Sequence, residues 1–332
     1  MNTIQNKTAS TIYTKVAIIT VTYNCCDFIE AFLDSVKPII ADSQFRLIII
    51  DNQSTDLGCA IIRKYIQDHS LETNITLYTA TDNHGFGKGC NKGAQLAKNH
   101  KAEYLWFLNP DTQINQDSGA QLLSLLEQDE HVDLAGSILS DEENKFRAGA
   151  FRFPSITNTF VSTMRLKLLD NLLPQFTTAA PIETTPYPTD WLTGASFMTS
   201  AKHFEALNGF DPSYFLYFEE VDLFYRAKKM GLSAWCCPQS HVFHMSGAST
   251  GVSNKTQNKR RPHYWFESRQ YFYLNNYGRI YSTLTDLCLL ASVSCWKLRA
   301  KLQGKTDDTP SHLVKDILKH SYIASRLKKH SN

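Results

Sequence analysis

Three carboxylates fall within four residues at Glu219, Glu220 and Asp222, behind the aromatic run Tyr214-Phe215-Leu216-Tyr217-Phe218 and ahead of Leu223-Phe224. Carboxyls crowded into partly dry surroundings ionise less readily than free ones, which suits one of them to accept a proton near neutral pH. Acids are also favourable at any helix start. Asp222 stands four residues before Arg226, the spacing of a helical ion pair, so it reads as structural. A second candidate group is Asn109-Pro110-Asp111, directly after the apolar run Tyr104–Leu108. A carboxylate in a proline-stiffened turn at a strand end suits a divalent cation, since Mg2+ commonly takes one or two protein carboxylates and completes its shell with phosphate oxygens and water. Asp after Pro is equally ordinary turn chemistry. His244, in Val242-Phe243-His244-Met245-Ser246-Gly247-Ala248-Ser249, ends an apolar run and is either a structural imidazole or a ligand, with His241 nearby for comparison.

The stretch from Asn83 to Gly93, NHGFGKGCNKG, has the look of a phosphate loop. It is neither of the two common kinds: Cys90 stands where G-x-G-x-x-G needs its last glycine, and no Gly-Lys-Ser/Thr follows a four-residue spacer. A glycine-lined helix start can still turn backbone N–H groups toward a ligand. A tight turn with no ligand is the alternative.

These residues need elements to hold them. Val16–Thr22, Arg46–Ile50, Ile75–Thr79 and Tyr104–Leu108 read as strands, each followed by a polar turn and a helical pattern: Asp27–Leu33, Ile61 to Ile66, a helix through Ala97, and Leu122–Leu126. Four such units predict an α/β fold with a mainly parallel sheet covered on both faces. Thr22-Tyr23-Asn24, Asp51-Asn52, Asn83 and Asn109-Pro110-Asp111 then fall at the carboxyl ends of strands, where such sheets bind ligands. After residue 140 the rhythm breaks. Phe153–Pro188, rich in Thr and Pro, reads as a long irregular segment or flap.

The chain has 332 residues, 42% hydrophobic and 20% charged, which excludes disordered and fibrous classes. Its longest late apolar stretch, Leu287–Trp296, is ten residues, well short of the ~20 needed to span a bilayer. The polar first fifteen residues do not resemble a secretory signal, so a cytoplasmic location is expected. Eight cysteines without a C-x-x-C pair read as reduced packing residues. The net charge of +2 hides an asymmetry: residues 1–258 carry 20 basic against 27 acidic side chains, residues 259–332 carry 14 against 5. In that basic tail Leu284, Leu287, Ala291, Cys295, Leu298 and Leu302 recur at three- and four-residue steps beside Trp296, and Leu313, Ile317, Ala324 and Leu327 suggest a second stripe. Such a tail suits an anionic membrane surface; packing on the main domain or in a homo-oligomer is the alternative.

Taken together the motifs resemble family 2 glycosyltransferases of the GT-A fold, in particular a rhamnosyltransferase-like branch, over residues 16 to 280. The resemblance rests on Thr22-Tyr23-Asn24, Asp51-Asn52-Gln53-Ser54-Thr55-Asp56, the run Asn83–Gly93, Asn109-Pro110-Asp111, Trp191-Leu192-Thr193-Gly194-Ala195, Gly209-Phe210-Asp211, Phe218–Leu223, and His244 with Gly247 and Ser249. It implies a nucleotide-sugar half over 16–140 and an acceptor half over 141–280, and its motifs leave out the polar leader over 1–15 and the basic tail over 281–332. It further implies that Thr22, Tyr23, Asp51, Asn83, Gly85, Asn91 and Asn109 bind the donor, that Trp191, Gly194 and Glu219 line the acceptor side, and that Asp111 and His244 hold Mg2+ or Mn2+. Glu220 takes the place of the family's catalytic Asp, its carboxylate reaching about an ångström further. The implied reaction is inverting transfer of a sugar, with rhamnose from dTDP-rhamnose as the implied donor, to a bacterial surface glycan or its lipid-linked precursor. That enzyme would sit on the inner face of the cytoplasmic membrane, with no nucleic-acid partner. The Glu219-Glu220 departure leaves open a non-catalytic nucleotide-sugar binder, and the tail leaves open a membrane-docking scaffold.

Overall fold

The structure, a computed structural model, describes residues 14–143, 145–166, 172–245, 259–307, 309–322 and 324. The polar leader up to residue 13, Gly247, Ser249 and Leu327 lie outside the described residues. The β-branched runs form β1 (Val16–Thr22), β2 (Phe45–Asp51), β3 (Ile75–Thr79) and β4 (Tyr104–Leu108), parallel in the order β3-β2-β1-β4. β1 and β2 are buried along their whole length, as strands must be when helices cover both faces. Helices α1 (Ile29–Ile40) and α2 (Gly58–Asp68) pack Phe32, Val36, Ile62 and Tyr65 against one face, and α3 (Phe86–Lys98) packs Cys90, Ala94 and Ala97 against the other.

Beyond β4 the sheet becomes mixed. β5 (Thr112–Ile114), α4 (Ser118–Gln128), β6 (Leu134–Ser140), β7 (Phe146–Arg147), β8 (Ala150–Phe151), α5 (Ile156–Met164), β9 (Tyr187–Thr189), β10 (Trp191–Leu192), β11 (Ser196–Ser200), α6 (Ala201–Ala206), α7 (Glu219–Lys229) and β12 (Ala234–His244) follow. β11 enters antiparallel between β4 and β6, and β12 lies parallel to β6 with β5 on its far edge. The pairing of His244 with Thr112 brings the end of β12 beside the turn that follows β4.

The segment Phe153–Pro188 is less irregular than its composition suggests, because it contains α5. Ser155 Oγ accepts the Asn158 N–H at 3.1 Å and Asn158 Oδ1 accepts the Ser155 N–H at 2.7 Å, a reciprocal cap that satisfies two backbone donors. The helix was hard to foresee: its nine residues include Ile, Val and three Thr, all poor helix formers, and Asn replaces the usual Glu or Gln of the cap. Tertiary contacts compensate, since Tyr281 Oη accepts the Ile156 N–H at 3.2 Å and Arg299 donates to the Met164 carbonyl at 2.6 Å.

The C-terminal region is a hairpin. Helix α8 (His263–Leu302) contains a non-helical Gly278 with φ 81° and ψ 179°, and its two arms, 263–277 and 279–302, fold back on each other. Phe266 and Val293 share one apolar cluster, whereas in a straight helix 27 residues would separate them by about 40 Å. Arg269 and Asp286, both buried, form an ion pair across the arms. Helix α9 (Leu313–His320) buries Leu313 and Ile317 in the same cluster. Leu313 and Ile317 of the second stripe therefore face protein, while the leucines of the first face outward.

Helix α3 lies on β1 at a distance that only glycine permits. A Cβ at Gly93 would stand 2.4 Å from Ile19 Cγ2, and one at Gly89 would stand 2.8 Å from both γ carbons of Val21. In an open helix Gly→Ala adds about 1 kcal/mol of stability; here overpacking of about 1–3 kcal/mol opposes it. Gly93→Ala is expected to lower the urea midpoint without changing the slope, and a raised midpoint would show that this approach is not tight.

Candidate active site

The polar ends of β1 and β2 form a closed network. Asp51, 1% exposed, accepts the Thr22 hydroxyl at 3.2 Å, the Ser54 hydroxyl at 2.5 Å and the Ser54 N–H at 3.1 Å. The Asn24 N–H reaches Ser54 Oγ at 3.0 Å, and Asn24 Oδ1 accepts the Thr55 N–H at 2.8 Å. Asp56 accepts the Cys26 and Gly58 N–H groups; burial alone would raise its pKa, but these bonds hold it below the ordinary carboxyl value. The motif between Asp51 and Asp56 thus shapes its own loop. Asp51 Oδ2 accepts the Ser54 N–H within that network, and Tyr23, next in sequence to Thr22, is 43% exposed.

Asn52, to which no role was given from its spacing, links this network to the glycine turn. It is buried, and its amide donates to the Gly85 carbonyl at 2.9 Å. Gly85 has φ +85°, and Asn83 Oδ1 accepts its N–H at 3.0 Å. A Cβ at Gly85 would meet the Phe215 carbonyl oxygen at 2.0 Å, and that oxygen accepts the Phe86 N–H at 3.2 Å. The segment before α7 therefore lies across the start of α3. Gly87 continues the contact, since its absent Cβ would stand 3.0 Å from Phe210 Cβ and 3.7 Å from Glu219 Cβ. Asn91 is engaged with protein: its amide donates to the Phe210 carbonyl at 2.8 Å and its oxygen accepts the Phe210 N–H at 2.9 Å. It clamps the Gly209-Phe210-Asp211 turn to α3.

The acids sit where that segment enters α7. Tyr217 and Phe218 are both left-handed, with φ 69° and 68°, a backbone state that costs ordinary residues about 1–3 kcal/mol each and concentrates at functional sites. Tyr217 stacks on Tyr264 at 5.9 Å, and Phe218 packs on Phe272 at 5.6 Å, so the inner arm of α8 supports the strained turn. Glu219 is 4% exposed, and the Oε2 atoms of Glu219 and Glu220 are buried without a hydrogen-bond partner among the described residues. Burial raises the pKa of both carboxyls, Glu220 to about 7, and the Glu220 charge raises Glu219 further. Asp222 is structural: it pairs with Arg226 at 2.7 Å and accepts from Tyr214 Oη at 3.4 Å and Asn276 at 3.3 Å.

Trp191 is half-buried, stacked on Phe151 at 4.5 Å, with its indole N–H on the Arg152 carbonyl at 2.9 Å. Gly194 approaches the Phe86 ring, where a Cβ would stand 3.4 Å away. Its neighbour Ala195 accepts the Asn109 N–H at 3.0 Å, tying this segment to the end of β4. Two residues on, Asp111 Oδ1 lies 3.3 Å from His244 Nε2, and the Asp111 carbonyl accepts the Met245 N–H at 3.0 Å. His241, the comparison, packs its ring against Phe146. A carboxylate and an imidazole in contact at a strand end fit Mg2+ or Mn2+ as two protein donors, the rest of the shell being phosphate oxygen and water. Among the described residues no group of three or more His, Cys, Asp or Glu side chains is placed to enclose an ion.

Residues 17–184 match the family described as Glycosyl transferase family 2. A Mycobacterium tuberculosis protein named N-acetylglucosaminyl-diphospho-decaprenol L-rhamnosyltransferase is 26% identical over 248 residues, covering 70% of this chain and 77% of its own. Rhamnosyltransferase WbbL of Escherichia coli K12 is 25% identical over 233 residues, 69% of this chain and 83% of its own. Among solved structures, the mannosyltransferase PcManGT of Pyrobaculum calidifontis, in complex with GDP-Man and Mn2+, matches with a TM-score of 0.52 at 16% identity over 96% of this chain and 85% of that one. Staphylococcus aureus TarS matches with a TM-score of 0.51 at 14% identity over 85% of this chain, which spans only 43% of that longer protein. These likenesses establish the GT-A fold.

A carboxyl whose folded pKa is raised costs stability as the pH climbs from the ordinary carboxyl range, about 4.3, through the raised value, because only the unfolded chain ionises freely. Glu219→Gln removes that cost. The variant is expected to gain stability over the parent in urea unfolding at pH 8, with the gap closing toward pH 4.5. A gap that does not change with pH would mean that Glu219 ionises normally in the folded chain.

Proposed function

The chain belongs to glycosyl transferase family 2, and from that premise we propose that it transfers rhamnose from dTDP-rhamnose, with inversion, to a hydroxyl of a bacterial surface glycan or its lipid-linked precursor. The observation that carries the reading is the buried, proton-hungry pair Glu219 and Glu220 seated over the glycine turn that meets the end of β2. Two relatives named as rhamnosyltransferases support the donor sugar, and the diphospho-decaprenol in one of those names supports a lipid-linked acceptor. A site on the inner face of the cytoplasmic membrane follows from such an acceptor.

In this reading Glu220 takes the proton of the acceptor hydroxyl as that oxygen attacks the anomeric carbon, and the bond from that carbon to the diphosphate breaks with its electrons leaving on the phosphate. A base poised near 7 is matched to that transfer. Glu219, which holds its proton more tightly, lines the acceptor side together with Trp191 and Gly194. Thr22, Tyr23 and Asp51 face the nucleotide base, and Asn83, Gly85 and Asn109 line the path of the diphosphate and sugar. Asn91 acts at one remove, by positioning the 209–211 turn. Asp111 and His244 would hold Mg2+ or Mn2+, which when bound supplies positive charge to offset the departing diphosphate. The remaining specificity lies with the loop built on Asp51 and Asp56.

Glu220→Gln is expected to leave dTDP affinity in calorimetry near the parent value and to lower kcat by ~10², the usual scale for losing a general base. Glu220→Asp should retain activity, and the parent rate should rise with pH through about 7. Equal rates in Glu220→Gln and the parent would remove Glu220 from the base role. Asp111→Ala is expected to abolish the Mn2+-dependent part of dTDP binding while the urea midpoint holds; binding as tight as the parent's would make Asp111 simple turn chemistry.

A further inference from the structure

We propose that the outward face of the second arm of α8 is a docking surface for a bilayer of anionic lipid. This rests on the membrane-side location proposed above and names the surface responsible. Along residues 279–302 the usual arrangement of an amphipathic helix is reversed. The face turned toward the protein buries Ser282, Thr285, Ser292, Val293, Trp296 and Ala300. Two of its hydroxyls are satisfied within the helix, since Thr285 donates to the Tyr281 carbonyl at 2.8 Å and Ser292 to the Cys288 carbonyl at 2.7 Å, each one turn back. The face turned outward carries Ile280, Leu284, Leu287, Leu298 and Leu302, with exposures of 80, 48, 50, 61 and 78%. Ala291 and Cys295 fill the gap in the same register and are exposed as well. Steps of four, three, four, four, three and four residues keep the stripe on one side of the helix over about 33 Å.

An apolar stripe of this length in contact with water is unfavourable and marks an interaction surface. Beside it, between α8 and α9, lies a groove of about 250 Å³ lined by Leu287, Leu290, Ile317 and Leu318 among others, apolar enough to take part of an acyl chain. Arg279, Lys301, Lys315 and Lys319 are exposed on the same two helices, and Lys305 is exposed just after α8. Residues 259–332 carry an excess of nine positive charges while the remainder of the chain is negative. That pairing of a leucine face with a basic rim matches an anionic lipid surface, where each nearby Lys or Arg is attracted by about 1 kcal/mol. A second copy of the chain fits less well, because a two-fold interface on this face would set the basic rim against itself. No helix among the described residues is long and apolar enough to cross a membrane.

The test is sedimentation of the full chain with vesicles of equal phosphatidylglycerol and phosphatidylcholine at low salt, alongside light scattering of the free protein. The parent is expected to sediment. The double variant Leu284→Glu/Leu298→Glu should partition at least about tenfold more weakly, as should Lys301→Gln/Lys305→Gln, whereas Met230→Glu, an exposed apolar residue at the end of α7, should behave as the parent. Unchanged dTDP binding in each variant shows that the fold and donor site are intact. Equal sedimentation of the leucine variant and the parent would overturn this surface while leaving the membrane-side location standing. A parent that stays in the supernatant overturns both. A parent dimer that the leucine pair converts to monomer, without vesicle binding, assigns the stripe to a subunit interface and also overturns the proposal.

Discussion

The site depends on one close approach, at Gly85. There the backbone turns left-handed, its carbonyl takes the amide of Asn52 from the end of β2, and the space a side chain would fill holds the Phe215 carbonyl. Any other residue would separate the loop that follows β2 from the segment that delivers Glu219 and Glu220. Gly89 and Gly93 extend the same logic down α3, letting the helix rest on the side chains of β1 so that the turn at its start lands level with the strand ends. The glycines of this stretch therefore serve close packing as much as ligand access, and the distance between the two halves of the site is set by the absence of methyl groups.

The second constraint is energetic. Two consecutive left-handed aromatic residues and two buried carboxyls are each unfavourable, and they occur within four positions. Such a concentration persists only where the surroundings over-determine it. Here the surroundings are aromatic: Tyr264, Trp265 and Phe272 of α8 pack on Tyr217 and Phe218. The stability given up at the acid pair is offset by ring burial in the C-terminal hairpin, so the part of the chain without recognisable chemistry supports the part that has it.

Much of this was legible from residue order. β1 and β4 begin and end where their β-branched and aromatic runs do, because strands buried on both faces are marked by continuous apolar character, and the half-exposed edge strand β3 is marked by its β-branched and aromatic residues instead. The Asp222–Arg226 pair followed from helical spacing, and the nearness of Asp111 and His244 agrees with the resemblance. What could not be read depends on contacts between distant residues. Asn91 looked like a ligand and proved to be a clamp on Phe210, 119 positions away. Helix α5 lacks helical propensity and exists because α8 packs on it. The left-handed pair at 217 and 218 has no glycine or asparagine to announce it, and the reversal at Gly278 lies ahead of the stripe that begins at Leu284.

The ion pair between the arms of α8 changes what the basic tail is. Arg269 belongs to the arm that supports the acid pair, Asp286 to the arm that carries the outward leucines, and both are buried, with the Asp286 carboxylate also accepting the Tyr322 N–H at 3.1 Å. Replacing Asp286 would leave the Arg269 guanidinium enclosed without its counter-ion, a change that in protein interiors costs about 3–5 kcal/mol, and removing the whole second arm would also uncover Phe266 and take the Arg299 contact from α5. The C-terminal region is thus no appendage that could be trimmed to yield a smaller catalytic unit. For protein engineering, an exchange of acceptor or surface specificity between related chains would have to carry the whole hairpin, with its cut point ahead of His263 rather than behind Gly278.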